Sequence, residues 1–314
     1  MKIKKLHYLV IVAISWHEAC GVSLVYSLKI RRVIKTSAIL GETEKRKTAV
    51  TALPVFYKRH RTFLDEPRHI NFSEKRFIGG SLFNVRVVSP KALWWGEVTT
   101  GVENEHFKTQ GTLNLTGSRT GFDDVVLSAG RNWFPNKKTQ GVFYAIGGFP
   151  TDFKVAPLDI NDTLVGTRFF SAGFGSEFSY DFVNAARQSC ILVFQNRFLH
   201  FFERSWPFPT IGSKVQPGNV TDVLLSLVYR IKRTVFEGGY NPTFITNQAI
   251  VTSNQTIKAP AYIRQSGYIN FLHLIKQCPG FNVPIIIGAG FSGATANLFK
   301  TRILTGWLTL TAIF

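Results

Sequence analysis

Residues 169–182 read FFSAGFGSEFSYDF, and taken two at a time they separate into two chemistries. Phe170, Ala172, Phe174, Phe178, Tyr180 and Phe182 share one parity, interrupted by Ser176. Phe169, Ser171, Gly173, Gly175, Glu177, Ser179 and Asp181 share the other. A repeat of two marks a strand, because successive side chains leave opposite faces of a sheet. One face is therefore mostly aromatic and the other small, hydroxylic and acidic. What the aromatic face meets decides the fold: a second sheet, as in a sandwich, or apolar surroundings outside a closed cylinder.

The same rhythm recurs along the chain. Val125, Leu127 and Ala129 alternate with Ser128, Gly130 and Asn132; Val142, Tyr144 and Ile146 share one face of the next run. The residues between, Pro135–Lys138, predict a hairpin. Val223, Leu225, Leu227, Tyr229 and Ile231 form another apolar set, followed by Ile263, Ile269, Phe271 and Ile275, and then Ile285, Ile287, Ala289 and Phe291. The run 190–204 alternates poorly, as a bulge or a stretch rising above an apolar layer would. No alternation of strands with long amphipathic helices emerges. The runs 167–182 and 285–299 exceed the usual 5–6 residues of a globular strand.

Composition agrees. The 314 residues include 28 Phe and 26 Gly but 1 Met, a mixture that suits strands and turns better than helices. Charged residues make up 18%, with 37 basic against 19 acidic. Residues 1–80 hold 16 of the basic and 6 of the acidic ones. Such a balance admits nucleic acid, anionic lipid or anionic solutes as partners. No recognition helix, zinc-finger spacing or aromatic RNA-binding platform accompanies it, which sets nucleic acid aside.

The chain opens with MKIKK and the apolar LHYLVIVAIS, the pattern of a signal peptide over residues 1–20, with Cys20 a candidate for lipidation. Residues 21–76 are rich in charge runs and predict a basic, partly ordered arm, with one short strand near Thr51–Tyr57; a leading strand or a lumen plug made from the arm stays open. Residues 77–314 form the β-rich unit. Cys190 and Cys278 are candidates for one disulfide in an oxidising compartment. No spacing of Cys and His suggests a metal, and no cofactor is expected.

The last residues, TRILTGWLTLTAIF, return to strict alternation. Leu304, Leu308, Leu310, Ala312 and Phe314 lie opposite Thr305, Trp307, Thr309 and Thr311. On these residues and the export pattern, the sequence resembles the bacterial outer-membrane β-barrels, a porin-like class, across roughly residues 77–314. The resemblance implies one antiparallel transmembrane barrel of about 10–12 strands in the outer membrane. It also implies that Leu310, Ala312 and Phe314 belong to a terminal signal read by the assembly machinery, although Trp307 stands where that signal usually has glycine. Outer-membrane lipids and small polar or anionic solutes are the further partners implied.

In such a barrel Phe170, Phe174, Phe178, Tyr180 and Phe182 face the membrane, and Trp94, Trp95, Trp133, Trp206 and Trp307 are candidates for interfacial girdles. Glu177, Asp181, Arg230, Lys232 and Arg264 are the candidates for lining the lumen, which reads as basic on balance; Arg168 falls there or near the rim. A channel is then the first functional expectation. A plugged barrel serving as anchor or adhesin, a lipid-modifying enzyme using His200 or His273, and a soluble β-sandwich stay open. His106, beside Glu103 and Glu105, is the one candidate for a metal contact.

Overall fold

The computed structural model describes residues 48–65, 70–89, 93–111, 114, 116–136, 138–151, 169–185, 188–208, 211–252, 256–275, 283–296 and 301–314. The expected signal peptide, Cys20, the expected arm up to residue 47, Arg168 and Cys278 lie outside them. Seventeen strands are present among these residues. In chain order they are β1 (Thr48–Asp65), β2 (Ile70–Val88), β3 (Trp94–Gly111), β4 (Thr116–Phe122), β5 (Val125–Trp133), β6 (Thr139–Phe149), β7 (Ser171–Ala185), β8 (Gln188–Phe201), β9 (Arg204–Phe208), β10 (Ile211–Gln216), β11 (Val220–Ile231), β12 (Thr234–Ile245), β13 (Gln248–Thr252), β14 (Thr256–Ala259), β15 (Tyr262–Ile275), β16 (Ile285–Ala296) and β17 (Thr301–Ile313).

Every ladder is antiparallel, and the large sheet runs β2-β1-β17-β16-β15-β12-β11-β8-β7-β6-β5-β3 before β2 and β3 pair and close it. β4 and β5 both lie along β3 and act as one interrupted strand, so the wall has 12 strands. Closure pairs each interior backbone donor with an acceptor and removes the sheet edges, which an open sheet leaves exposed. A two-layer sandwich is excluded by the same pairing. The seam lies between β1 and β17, where Val50 pairs Ala312 and Tyr57 pairs Thr305. Backbone bonds between Thr48 and Phe314 finish it, at 3.2 and 2.8 Å.

Among the described residues the barrel begins at Thr48, ahead of the residue 77 that the sequence suggests. What the sequence offered as a basic arm ends in two long strands, because its cations alternate: Lys58 and His60 point outward while Tyr57 and Arg59 are buried inside. A charge run whose members leave opposite faces forms a strand as readily as an apolar one.

The two ends differ. At the end holding Thr48 and Phe314 four connections are short, such as residues 232–233 between β11 and β12, while nine residues separate β15 from β16. At the other end three connections have four residues each, and those between β6 and β7, β8 and β11, and β12 and β15 are the longest. Two of them fold into hairpins, β9–β10 and β13–β14, which pair through β10 and β13 into a separate four-stranded sheet. Val215 of that sheet packs with Leu199, Phe201, Val220, Ile245 and Tyr262 at the inner rim.

The outer surface is a belt of exposed apolar side chains. β7 presents Phe170 just before its start, then Phe174 at 65% exposure, Phe178, Tyr180 and Phe182; β17 presents Leu304, Leu308, Leu310 and Phe314. Trp94 and Trp133 are exposed at the end with the short turns, where Arg131 lies over the Trp94 ring at 5.4 Å. Trp95 and Trp307 are not girdle residues. Both face inward and are buried, as their parity with Glu97 and Thr305 requires. Trp206 lies in β9, off the barrel wall.

Candidate functional site: the barrel interior

Inward positions carry two kinds of side chain. Apolar ones form a belt across β1, β2, β11, β15 and β17 (Leu53, Tyr57, Leu82, Leu224, Tyr268, Trp307) and a patch at the short-turn end (Ile191, Val193, Val228, Val235, Leu272, Leu274, Ile286, Ile313). Val142, Tyr144 and Ile146 also face inward, while Phe143 and Phe149 take the outside of β6. The poor alternation of 190–204 has the same origin. β8 stays in register against β11 from Gln188 to Leu199, so Val193 and Arg197 share an inner face of mixed character.

Inward aromatic rings lie over glycines of neighbouring strands. Trp307 covers Gly290, and Tyr144 covers Gly175; a Cβ at either glycine would overlap the ring. Tyr144 is held there by a hydrogen bond from the Gln195 amide, 2.6 Å, and by Trp95 at 5.8 Å between ring centroids.

The polar part is organised into two charge networks. On β8, β11, β12 and β15, the Arg197 guanidinium donates to Asp222, with Nε at 3.1 Å. Thr243 Oγ1 donates to the other oxygen of Asp222 at 2.6 Å, and Arg264 donates to Thr243 at 3.2 Å. Arg197 is 1% exposed and Asp222 3%, so the pair is essentially dry. On β1, β2 and β3, Arg59 pairs with Glu74, and Arg76 bridges Glu74 and Glu105. Beside them lie Glu103, Asp123 and Asp124.

The two aspartates are both inside because of a bulge. Between the pairs Thr99–Val126 and Val102–Phe122, β3 spends two residues and its partner three. The extra residue breaks the alternation, so consecutive side chains face the same way. Asp123 N–H bonds the Gly101 carbonyl at 2.8 Å and Asp123 Oδ1 accepts from the Asp124 N–H at 2.8 Å, which fixes the kink. Nothing in the hydrophobic pattern marks this position; the doubled aspartate is its one trace in the sequence.

The strand order sets these networks against each other. In a ring of 12, β12 lies six places from β3 by either route, with β15 and β11 flanking it and β8 next beyond β11. Glu103 and Glu105 on β3 therefore face the wall that carries Arg197 and Arg264. Among the described inward side chains there are ten carboxylates (Glu74, Glu97, Glu103, Glu105, Asp123, Asp124, Glu177, Asp181, Asp222, Glu237) and six guanidinium groups (Arg59, Arg76, Arg86, Arg197, Arg230, Arg264). Among these side chains the balance is acidic, opposite to the sequence expectation, because many cations lie in loops, on the outside or outside the described residues.

Of the five lumen candidates, Glu177 and Arg264 are buried inside, and Asp181 and Arg230 share the inner parity. Lys232 is not on the wall. It stands exposed in the turn between β11 and β12 with φ 53°, where the strand has already ended. Sequence reasoning missed Arg59, Glu74 and Arg76, assigned to the arm, and Asp123 and Asp124 at the bulge.

The two candidate histidines lie at opposite ends of the barrel. His200 Nδ1 lies 2.8 Å from Asn219 Oδ1 at the long-loop end, and His273 Nδ1 lies 3.0 Å from Thr234 Oγ1 at the other. Glu103 and Glu105 face inward while His106 faces outward, so the three do not converge on a metal.

A closed antiparallel cylinder with an apolar exterior and a charged interior is the architecture of the bacterial outer-membrane β-barrels, the channel and porin type among them, and this chain has that fold. An outer membrane channel from Pseudomonas putida F1 matches it with a TM-score of 0.57 at 9% identity, over 86% of this chain and 96% of that one. The transport unit of the autotransporter AIDA-I from Escherichia coli matches with a TM-score of 0.50 at 10% identity, over 87% and 92%. No family model matches the sequence, and no curated protein matches it. At these identities the likeness is one of fold.

Proposed function

We propose that the barrel spans the outer membrane and passes small polar solutes, with cations favoured over anions. The exterior supports the first part. On β17 the outward residues from Leu304 to Phe314 contain no charge. Ten residue steps cover about 33 Å along a strand, or about 25 Å along the axis at a tilt of roughly 40°, the height of the apolar band of outer-membrane barrels. Outward charge begins just beyond, at Arg302 on β17 and Lys58 on β1. The three longest connections all lie at the end away from Thr48 and Phe314, as the extracellular loops of such proteins do. Leu310, Ala312 and Phe314 then lie on the lipid-facing side of the terminal strand, where the assembly machinery reads them.

The observation that carries the transport reading is the acidic wall of β3–β5 set opposite the Arg197–Arg264 wall. Opposed charges across a lumen create a transverse field that orients dipolar solutes, and a net acidic lining raises the local concentration of cations. The apolar belt beside Trp307 narrows the same passage.

The test is conductance in planar bilayers under a salt gradient. Discrete openings with a cation-selective reversal potential are expected, and Glu103→Gln with Glu105→Gln should move that potential toward zero. Anion selectivity would overturn the choice of solute. A correctly inserted barrel with no conductance would leave only the anchoring role.

A further inference from the structure

On the outer wall, at the end with the short turns, lies an open cleft of about 680 Å³ lined by Ile231, Lys232, Arg233, Thr234, Phe236 and His273. Its parts are segregated. Lys232 and Arg233 are the two turn residues between β11 and β12, and both are exposed. His273 sits directly across the ladder from Thr234, and their side chains are 3.0 Å apart. That contact uses Nδ1 and leaves Nε2 free to donate when Thr234 supplies the proton. Below these groups the wall turns apolar: Phe236 packs edge-on against Phe271 at 5.3 Å between ring centroids, with Ile231 alongside. No carboxylate lines the cleft.

The turn itself adds a second observation. Lys232 has φ 53°, and it is the one non-glycine residue with positive φ among those described. Glycine adopts this conformation without steric cost and would be the default there. A lysine kept where glycine fits better points to use of its side chain, as backbone outliers at binding sites do.

We propose that this cleft binds the phosphodiester headgroup of an anionic phospholipid in the periplasmic leaflet. Lys232, Arg233 and His273 hold the phosphate, and one acyl chain runs over Ile231 and Phe236. The inference rests on the reading that the barrel spans a membrane, since only then does the cleft stand at headgroup level. Charge selects the class. Two fixed cations attract a lipid of net charge −1 and repel the ammonium that a zwitterionic headgroup carries beside its phosphate. Arginine adds a fork of donors matched to phosphate oxygens.

The test is native mass spectrometry of the full chain released from detergent after incubation with phosphatidylglycerol, phosphatidylcholine or inorganic phosphate. Wild type should retain one phosphatidylglycerol and no phosphatidylcholine. The Lys232→Gly, Arg233→Gln double variant should lose that adduct by roughly 25-fold, about fivefold per cation. Glycine at 232 suits the left-handed turn, so the variant keeps its fold. Lys58→Ala with Arg302→Ala, which removes outward cations at the opposite end, should leave the adduct unchanged. Equal retention by wild type and the Lys232/Arg233 variant overturns the proposal. So does capture of inorganic phosphate in place of the lipid, which would make the cleft a free-anion site. Failure of the wild type to insert into vesicles, assayed separately, would instead remove the membrane-spanning reading.

Discussion

Asp222→Asn tests whether the charged interior is dry. The substitution preserves shape but removes the charge that compensates Arg197, and it weakens the bond from Thr243. Arg197 is 1% exposed, so water does not reach it to replace the lost partner. Removing one member of a buried pair costs about 3–5 kcal/mol, because the other charge is left desolvated. Asparagine still offers one acceptor, which places the expected loss near about 3 kcal/mol. The paired change Arg197→Met with Asp222→Leu removes both charges and should lie within about 1 kcal/mol of wild type, since apolar isosteres of buried pairs are often neutral. The assay is urea unfolding of the barrel in lipid vesicles, followed by tryptophan fluorescence, with slopes compared to confirm the same transition. Glu203→Gln, which alters the exposed Lys214–Glu203 contact at 2.9 Å, serves as the surface control and should leave the midpoint in place. A loss below about 1 kcal/mol for Asp222→Asn would refute the reasoning. It would mean that water reaches the Arg197–Asp222 pair and replaces the lost partner.

Three other outcomes follow from the same structure. Phe178→Arg, in the middle of the outer face of β7, should destabilise the inserted barrel by about 2–4 kcal/mol, whereas Phe182→Arg near the short-turn rim should cost about 0–1 kcal/mol; equal costs in the same unfolding assay would argue against a lipid-facing belt. Gly175→Val would drive side-chain atoms into the Tyr144 ring and should cost about 1–3 kcal/mol, read as a lowered unfolding midpoint, while Tyr144→Ala with Gly175→Val should recover part of it. The Gln216 amide, 2.6 Å away, and then Lys214 hold the Glu203 carboxyl below the usual glutamate range. Its folded value lies below its unfolded one, so its contribution to holding the β9–β10 hairpin is present above the ordinary range and lost as pH falls through the lowered value; carboxyl-carbon NMR should show this, with Gln216→Ala raising the midpoint.

The outside of the barrel was legible in the sequence because lipid-facing positions admit little besides apolar side chains. The alternation of Phe170–Phe182 and of Leu304–Phe314 needs no knowledge of neighbours. The inside was legible only in part. Inward positions are constrained by what lies across the ladder or the lumen, so Leu224 and Val228 read as exceptions to a pattern, yet both sit buried on the inner face. Trp307 illustrates the limit: its parity with Thr305 already pointed inward, but the glycine that receives its ring is in another strand, Gly290 on β16.

What the amino-acid order alone determined is a local quantity: which side chains leave which face, and hence that most of these strands have one apolar face. Period two is set by backbone geometry within one strand and survives any arrangement of strands. Tertiary structure decided the rest. Charge runs before residue 77 became β1 and β2 because the closing strand β17 needed a partner for its backbone groups. Asp123 and Asp124 turned inward because one extra residue was accommodated opposite Thr100 and Gly101. The interior became acidic because strand order, which no local pattern encodes, gathered carboxylates from β2 to β5 on one wall and set Arg197 and Arg264 on the other.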